Sequence, residues 1–95
     1  MKQPIYTQQS AETLALQAIA FLAGDDDRLQ RFIAICGLSP KDLTQAVGDS
    51  AALGGILDYI LGDESLVIEF ADHAGVPPEA PAAARRALPG GDSIY

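Results

Sequence analysis

Ninety-five residues, 48% of them apolar, make one domain, long enough to close a single core without metal or disulfide support. A net charge of −7 argues against duplex nucleic acid and anionic membranes as partners, because both reward basic patches. The lone cysteine, Cys36, excludes an internal disulfide and suits a reducing compartment.

Glycine and proline punctuation predicts an arm at 1–9, one helical domain at 10–88 and a loose tail at 89–95. The first helix runs from about Gln8 to Ala23, starts at Thr7 or Ser10 and stops at Gly24. Lys2 ahead of the apolar stretch Leu14–Ala23 has the outline of a secretion signal, but Glu12 spoils the basic flank. The stretch is also too short to span a bilayer, so it reads as a core helix of a cytoplasmic protein.

A second helix follows the Asp25–Asp27 cluster and ends at Cys36, with Gly37 just beyond it. The third takes Ser39 as N-cap, Pro40 at its first position and Asp42 as the partner of a short capping box, and closes at Gly48. A fourth covers Ser50–Leu61 behind Asp49, and a fifth covers Glu64–Ala74 behind Asp63. The sixth begins near Pro78 and fades around Leu88, with Pro81 tolerable because it falls in the first turn. No segment alternates with period two, so no strand is expected.

Helix starts also absorb most of the acidity. Glu12, Asp25, Asp26, Asp27, Asp42, Asp49, Asp63, Glu64 and Glu79 all lie where a carboxylate can cap free N–H groups or complement the helix dipole.

The chain matches itself at a shift of 38 residues: Gly24 falls on Gly62, Asp25 on Asp63, Phe32 on Phe70, Gly37 on Gly75 and Pro40 on Pro78. A fixed-period match predicts tandem three-helix units, here halves 10–47 and 48–85 around a pseudo-twofold axis. The first and fourth helices, apolar nearly all round, should pack centrally. The pairs two–three and five–six should cover them on either side, and neither half should fold alone. The expected core is Leu14, Ala18, Phe21, Leu22, Leu29, Phe32, Ile33, Cys36, Leu43, Leu53, Leu57, Ile60, Phe70, Ala71 and Ala74. Cys36 matches Ala74 in the repeat, which makes it a buried structural cysteine.

Chemistry is sparse. The turns Gly37-Leu38-Ser39-Pro40 and Gly75-Val76-Pro77-Pro78 resemble the helix-hairpin-helix motif of nucleic-acid-binding proteins. Ser39 and Pro77 replace its second glycine, however, and Pro77 has no N–H to offer a phosphate. The bland alternative is a glycine-ended helix followed by a capped one, with Leu38 and Val76 tucked into the core.

Asp49-Ser50 resembles the attachment site of acyl carrier proteins, but Ala51 stands where those have Leu or Met. Glu69 and His73 share a helix face without further ligands for zinc, and the aspartates lack calcium-loop spacing. No catalytic, cofactor-binding or metal-ligating set emerges.

Gly54-Gly55 is harder to absorb, because each interior glycine costs on the order of 1 kcal/mol against alanine. The first copy has Leu16-Gln17 there, so the repeat does not demand glycine. Close helix packing or a partner's docking groove would each explain the pair. Ile35 and Ile68 sit on faces expected to meet solvent.

Several fragments occur in order: Ala11-Glu12, Leu14-Ala15, Phe21-Leu22, Arg31-Phe32, Gly37-Leu38 with Pro40 and Asp42-Leu43, and Gly62-Asp63-Glu64-Ser65-Leu66. Together they resemble an uncharacterised family of small helical proteins from alphaproteobacteria, a domain of unknown function. The resemblance covers about Ala11 to Leu88 and implies a bacterial, cytoplasmic, single helical domain, with no activity attached.

The expectation is therefore a non-enzymatic protein–protein interaction module without cofactor, with Ile35, Gly54, Gly55 and Ile68 as its candidate surface. Its partner would be another protein or a second copy of the chain. The alternatives are a helix-hairpin-helix-like nucleic-acid-binding domain and, behind it, a carrier-protein-like domain.

Overall fold

A computed structural model describes residues 5–37 and 39–89, apart from the side chains of Pro40 and Leu43. Among the described residues there are six helices and no strand: α1 (Gln8–Ala23), α2 (Asp26–Cys36), α3 (Pro40–Ala46), α4 (Ser50–Leu61), α5 (Glu64–Ala74) and α6 (Ala80–Arg86). The protein is all-α. No described helix is long and apolar enough to cross a membrane.

Local capping chemistry fixes most helix starts. Thr7 and Ser10 are both used, in one reciprocal box: the Ser10 N–H donates to Thr7 Oγ1 at 3.1 Å and the Thr7 N–H to Ser10 Oγ at 2.9 Å. Ser39 and Asp42 repeat the arrangement at α3, at 3.2 and 2.9 Å. Asp25, Asp49 and Asp63 each accept two backbone N–H groups. Losing any one of these caps costs about 1 kcal/mol. Two acids depart from the expected pattern. Glu12 lies a full turn inside α1, and Glu79 precedes α6 without a side-chain cap.

Helices α2 and α5 end on Gly37 and Gly75, at φ of 70° and 72°. That left-handed conformation costs an L-residue with a side chain about 1–2 kcal/mol. After α5 the Gly75 N–H donates to the Asp72 carbonyl, and Val76, half-buried against the core, donates to Ala71 at 3.0 Å. These two bonds satisfy carbonyls that the helix itself cannot. At the other end markers the sequence is less accurate: α3 stops at Ala46, short of Gly48, and α6 covers less than the expected 78–88.

α1 and α4 pack against each other and both pack against α6; α2 lies on α1, α5 on α4 and α1, and α3 on α4. Phe21, Phe32, Phe70, Leu14, Leu22, Leu53, Leu57 and Ile60 are buried in one core, while Leu29, Ile33 and Ala74 are half-buried. Leu38 and the Leu43 side chain, both expected inside, fall outside the described residues.

The third helices differ from their expected role as covers. α6 buries Ala80, Pro81, Ala83 and Ala84, whose small side chains let it wedge between α1 and α4. α3 leaves a trough beside α2 instead.

Cys36 corrects the expected core, because it is exposed. It lies one turn beyond Phe32, on the wall of an open cleft between α2, α3 and α4.

Phe21 joins α1 to both outer helices. Its ring lies 5.5 Å from that of Phe70 and 5.3 Å from His73, and the Arg28 guanidinium sits 4.0 Å from its centroid. A cation over such a ring contributes on the order of 0.5–2 kcal/mol, depending on its desolvation.

Candidate functional site

The adjacent glycines of α4 have unlike surroundings. Gly54 is buried, and a Cβ built there would stand 2.8 Å from Arg85 Nη1 and 3.0 Å from its Cζ. Arg85 is held in place by Asp58, with Nε 2.7 Å from Oδ1, and by the Pro89 carbonyl at 3.0 Å. Gly54 is therefore the flat seat on which α6 rests its guanidinium. Gly55 is exposed, and a Cβ there meets nothing within 4 Å. No neighbour requires it, yet the helix interior bears a cost of about 1 kcal/mol.

Gly55 lies in a cleft of about 270 Å³ between three helices. Phe32 and Cys36 come from α2, Asp42 and Ala46 from α3, and Ala52, Gly55 and Ile56 from α4. The i, i+4 spacing of Asp42 and Ala46 puts both on one face of α3. Ala52, Gly55 and Ile56 likewise share a face of α4, so the trough runs along two helix axes with α2 as its end wall. Its surface is mainly apolar, and among the described residues Asp42 and Cys36 are the polar side chains that line it. Partial burial against that wall raises the Cys36 thiol above its ordinary pKa, which keeps it protonated and a poor nucleophile at neutral pH.

Phe32 and Tyr59, in edge contact at 4.8 Å, separate this trough from a second, more polar cleft. That cleft is lined by Arg31, Ile35, Asp58, Tyr59, Gly62 and Asp63. Desolvation is the main cause that raises the Tyr59 phenol, followed by the nearby Cys36.

The four residues singled out in the sequence thus do not form one surface. Gly55 floors the first cleft, Ile35 lines the second at 66% exposure, Gly54 is covered by Arg85, and Ile68 stands exposed on α5 in neither. Sequence reasoning missed Asp42, Ala46 and Arg85. The spacing of Asp42 and Ala46 was a usable signal, whereas nothing local marks Arg85 as the partner of Gly54.

Other candidates are engaged structurally. Ser50 donates its hydroxyl to the Glu12 carboxylate, which also accepts from Gln8 Nε2 at 3.2 Å. The Ser50 bond first, and then that of Gln8, hold the Glu12 carboxyl below its usual pKa. Ser50 therefore ties α4 to α1. Glu69 reaches Arg28 at 3.7 Å while His73 stacks on Phe21, so these two do not converge on a common ligand. Among the described residues no three His, Cys, Asp or Glu side chains group as metal ligands would. At the helix-hairpin-helix-like turns, the N–H groups of Gly37, Ser39, Gly75 and Val76 are all bonded within the chain.

Neither the curated proteins nor the solved structures contain a significant match to this chain. A family model does match over residues 8–91, which takes in all six helices. The chain belongs to the family described as Protein of unknown function (DUF3572).

Proposed function

We propose that this protein is a non-enzymatic protein–protein interaction module whose docking site is the trough between α2, α3 and α4. One observation carries the reading. Gly55 is an exposed interior glycine whose cost of about 1 kcal/mol no contact of the fold recovers, and it lines a mainly apolar concavity. A missing side chain at that point lets an incoming surface approach the α4 backbone.

Affinity capture from native host extract tests this, with the wild type beside Gly55→Leu and Ile68→Gln. Gly55→Leu fills the trough and should lose the specifically retained protein; Ile68→Gln, on another helix, should keep it. Identical retention by all three would refute the assignment of the site. What speaks against the nucleic-acid reading is the net charge of −7 together with the internal use of the turn N–H groups.

The chain also reads as a tandem duplication, supported by the 38-residue self-match and by the paired Asp25/Asp63 caps and Gly37/Gly75 ends. A bacterial cytoplasmic setting fits its lone unpaired cysteine.

A further inference from the structure

Taking the trough as a docking site, we infer that its occupant is a basic amphipathic helix contributed by another protein. The backbone decides the secondary structure. The trough is walled by side chains of three helices, and the described residues include no strand whose edge could pair with an added segment. An extended peptide would lay unpaired N–H and C=O groups over an apolar floor, whereas a helix satisfies its own. Size points the same way. A volume of about 270 Å³ is below the roughly 300–1,000 Å³ of small-molecule pockets and suits one or two large apolar side chains. Without a Cβ at Gly55, the helix bearing them can settle close to α4.

Charge selects the flanks of that helix. Asp42 lines the trough, and its carboxylate is held by the Ser39 N–H at 2.9 Å. The Asp49 carboxylate bonds the N–H groups of Ala51 and Ala52, which fixes it at the start of α4, next to the lining residue Ala52. Neither belongs to the ion pairs of the described residues, Arg28–Glu69 and Arg85–Asp58. Lys41, one position from Asp42, is rotated by about 100° around α3 and leaves that face. Arg31 lies in the second cleft beside Asp58 and Asp63. The apolar trough thus has one fixed carboxylate in its lining, Asp42, and a second, Asp49, at the start of the helix that forms its other side. A net charge of −7 repels a second copy of the chain and attracts a cation from a distance.

Three synthetic helices of about 16 residues test this: a leucine stripe flanked by lysines, the same stripe flanked by glutamates, and a scramble of the lysine peptide that destroys the stripe. Cys36, exposed in the trough and the lone cysteine, reports occupancy through its rate of alkylation by iodoacetamide in the native protein. The lysine peptide should slow that rate about fivefold or more, with amide NMR shifts confined to Cys36, Ala46, Ala52, Gly55 and their neighbours. Its scramble, equal in charge, should do neither. Gly55→Leu should abolish both effects and, because a Cβ there meets nothing within 4 Å and the rest of the side chain points into an open cleft, should still fold. Asp42→Asn combined with Asp49→Asn keeps both caps and should weaken binding about fivefold with a shallower salt dependence.

Equal protection by the glutamate peptide, shifts centred away from the trough, or a dimer in light scattering that buries Gly55 would each overturn the inference. If no peptide protects Cys36 while Gly55→Leu still loses its host partner, the basic-helix chemistry fails and the docking site stands. If Gly55→Leu loses nothing, the docking site fails too.

Discussion

Replacing each glycine of α4 by alanine in turn separates two roles that the sequence makes look identical. Gly55→Ala adds a methyl group to open space and removes the glycine penalty, a gain of about 0.5–1 kcal/mol. Gly54→Ala has the same gain, but its methyl would stand 2.8 Å from Arg85 Nη1. The guanidinium is the far end of a flexible chain and can swing away. It then gives up Asp58 and the Pro89 carbonyl. Asp58 is 54% exposed, so the ion pair counts on the surface scale of about 0.5–1 kcal/mol. The bond to Pro89 adds about 1 kcal/mol. The net result is a destabilisation of about 0.5–1.5 kcal/mol, and a gap between the two variants, equal to the interactions lost, of about 1.5–2 kcal/mol. Urea melts followed by circular dichroism measure it, and thermal melts should separate the variants by roughly 4–8 °C per kcal/mol. In an Arg85→Ala background the obstacle is gone, and Gly54→Ala should become stabilising like its neighbour. Equal stabilisation by both substitutions in the wild type would refute the account of Gly54.

Phe32→Ala and Phe70→Ala should each cost about 3–5 kcal/mol in denaturant melts, since both rings are at most 1% exposed. Ile68→Gln, by contrast, should stay under about 0.5 kcal/mol, and a cost like that of the phenylalanines would mean α5 is rotated. Glu12 has a folded-state pKa below its ordinary value, so its contribution to stability is complete above the unfolded pKa and fades as pH falls through the folded one. Ser50→Ala removes the larger cause of the depression. The Glu12 carboxyl should then titrate higher by NMR, and the gap in stability between wild type and variant should narrow as the solution is acidified. An unchanged Glu12 titration would refute the contact.

What the sequence discloses and what it hides divide along physical lines. The starts of α4 and α5 are legible to the residue, and that of α2 to within two residues, because Asp25, Asp49 and Asp63 act on N–H groups two and three positions away. The left-handed ends at Gly37 and Gly75 are equally local. α6 is less legible, since Ala80, Ala83 and Ala84 carry little hydrophobic signal and are buried only because their smallness permits close approach. The exposure of Cys36 is not legible, because an apolar stripe gives the direction of a side chain but not whether the neighbouring helices close over it, and here they leave a cleft. The site follows the same division. That Gly54 and Gly55 are anomalous is visible in the sequence; that one meets Arg85 and the other meets solvent depends on a helix some thirty residues away.

The position of α6 bears on how the chain comes off the ribosome. α1 is made before the other five helices described, yet its buried residues Ala11, Leu14, Ala15 and Ala18 belong to a helix that packs on α4 and on α6. At roughly 5–20 residues per second, the interval between the synthesis of α1 and that of Leu88 is on the order of 4–15 s. Throughout that time the nascent chain can form α1–α2 and later α4–α5 hairpins, but it has no finished interior. The alanines on α1 suit this delay: with Ala11, Ala15 and Ala18 making up half of its buried residues, the stripe is less adhesive while waiting than an unbroken one of leucines and phenylalanines would be. The composition that makes α6 a close-fitting wedge thus also makes the helix it must find a quieter companion for chaperones and neighbouring chains.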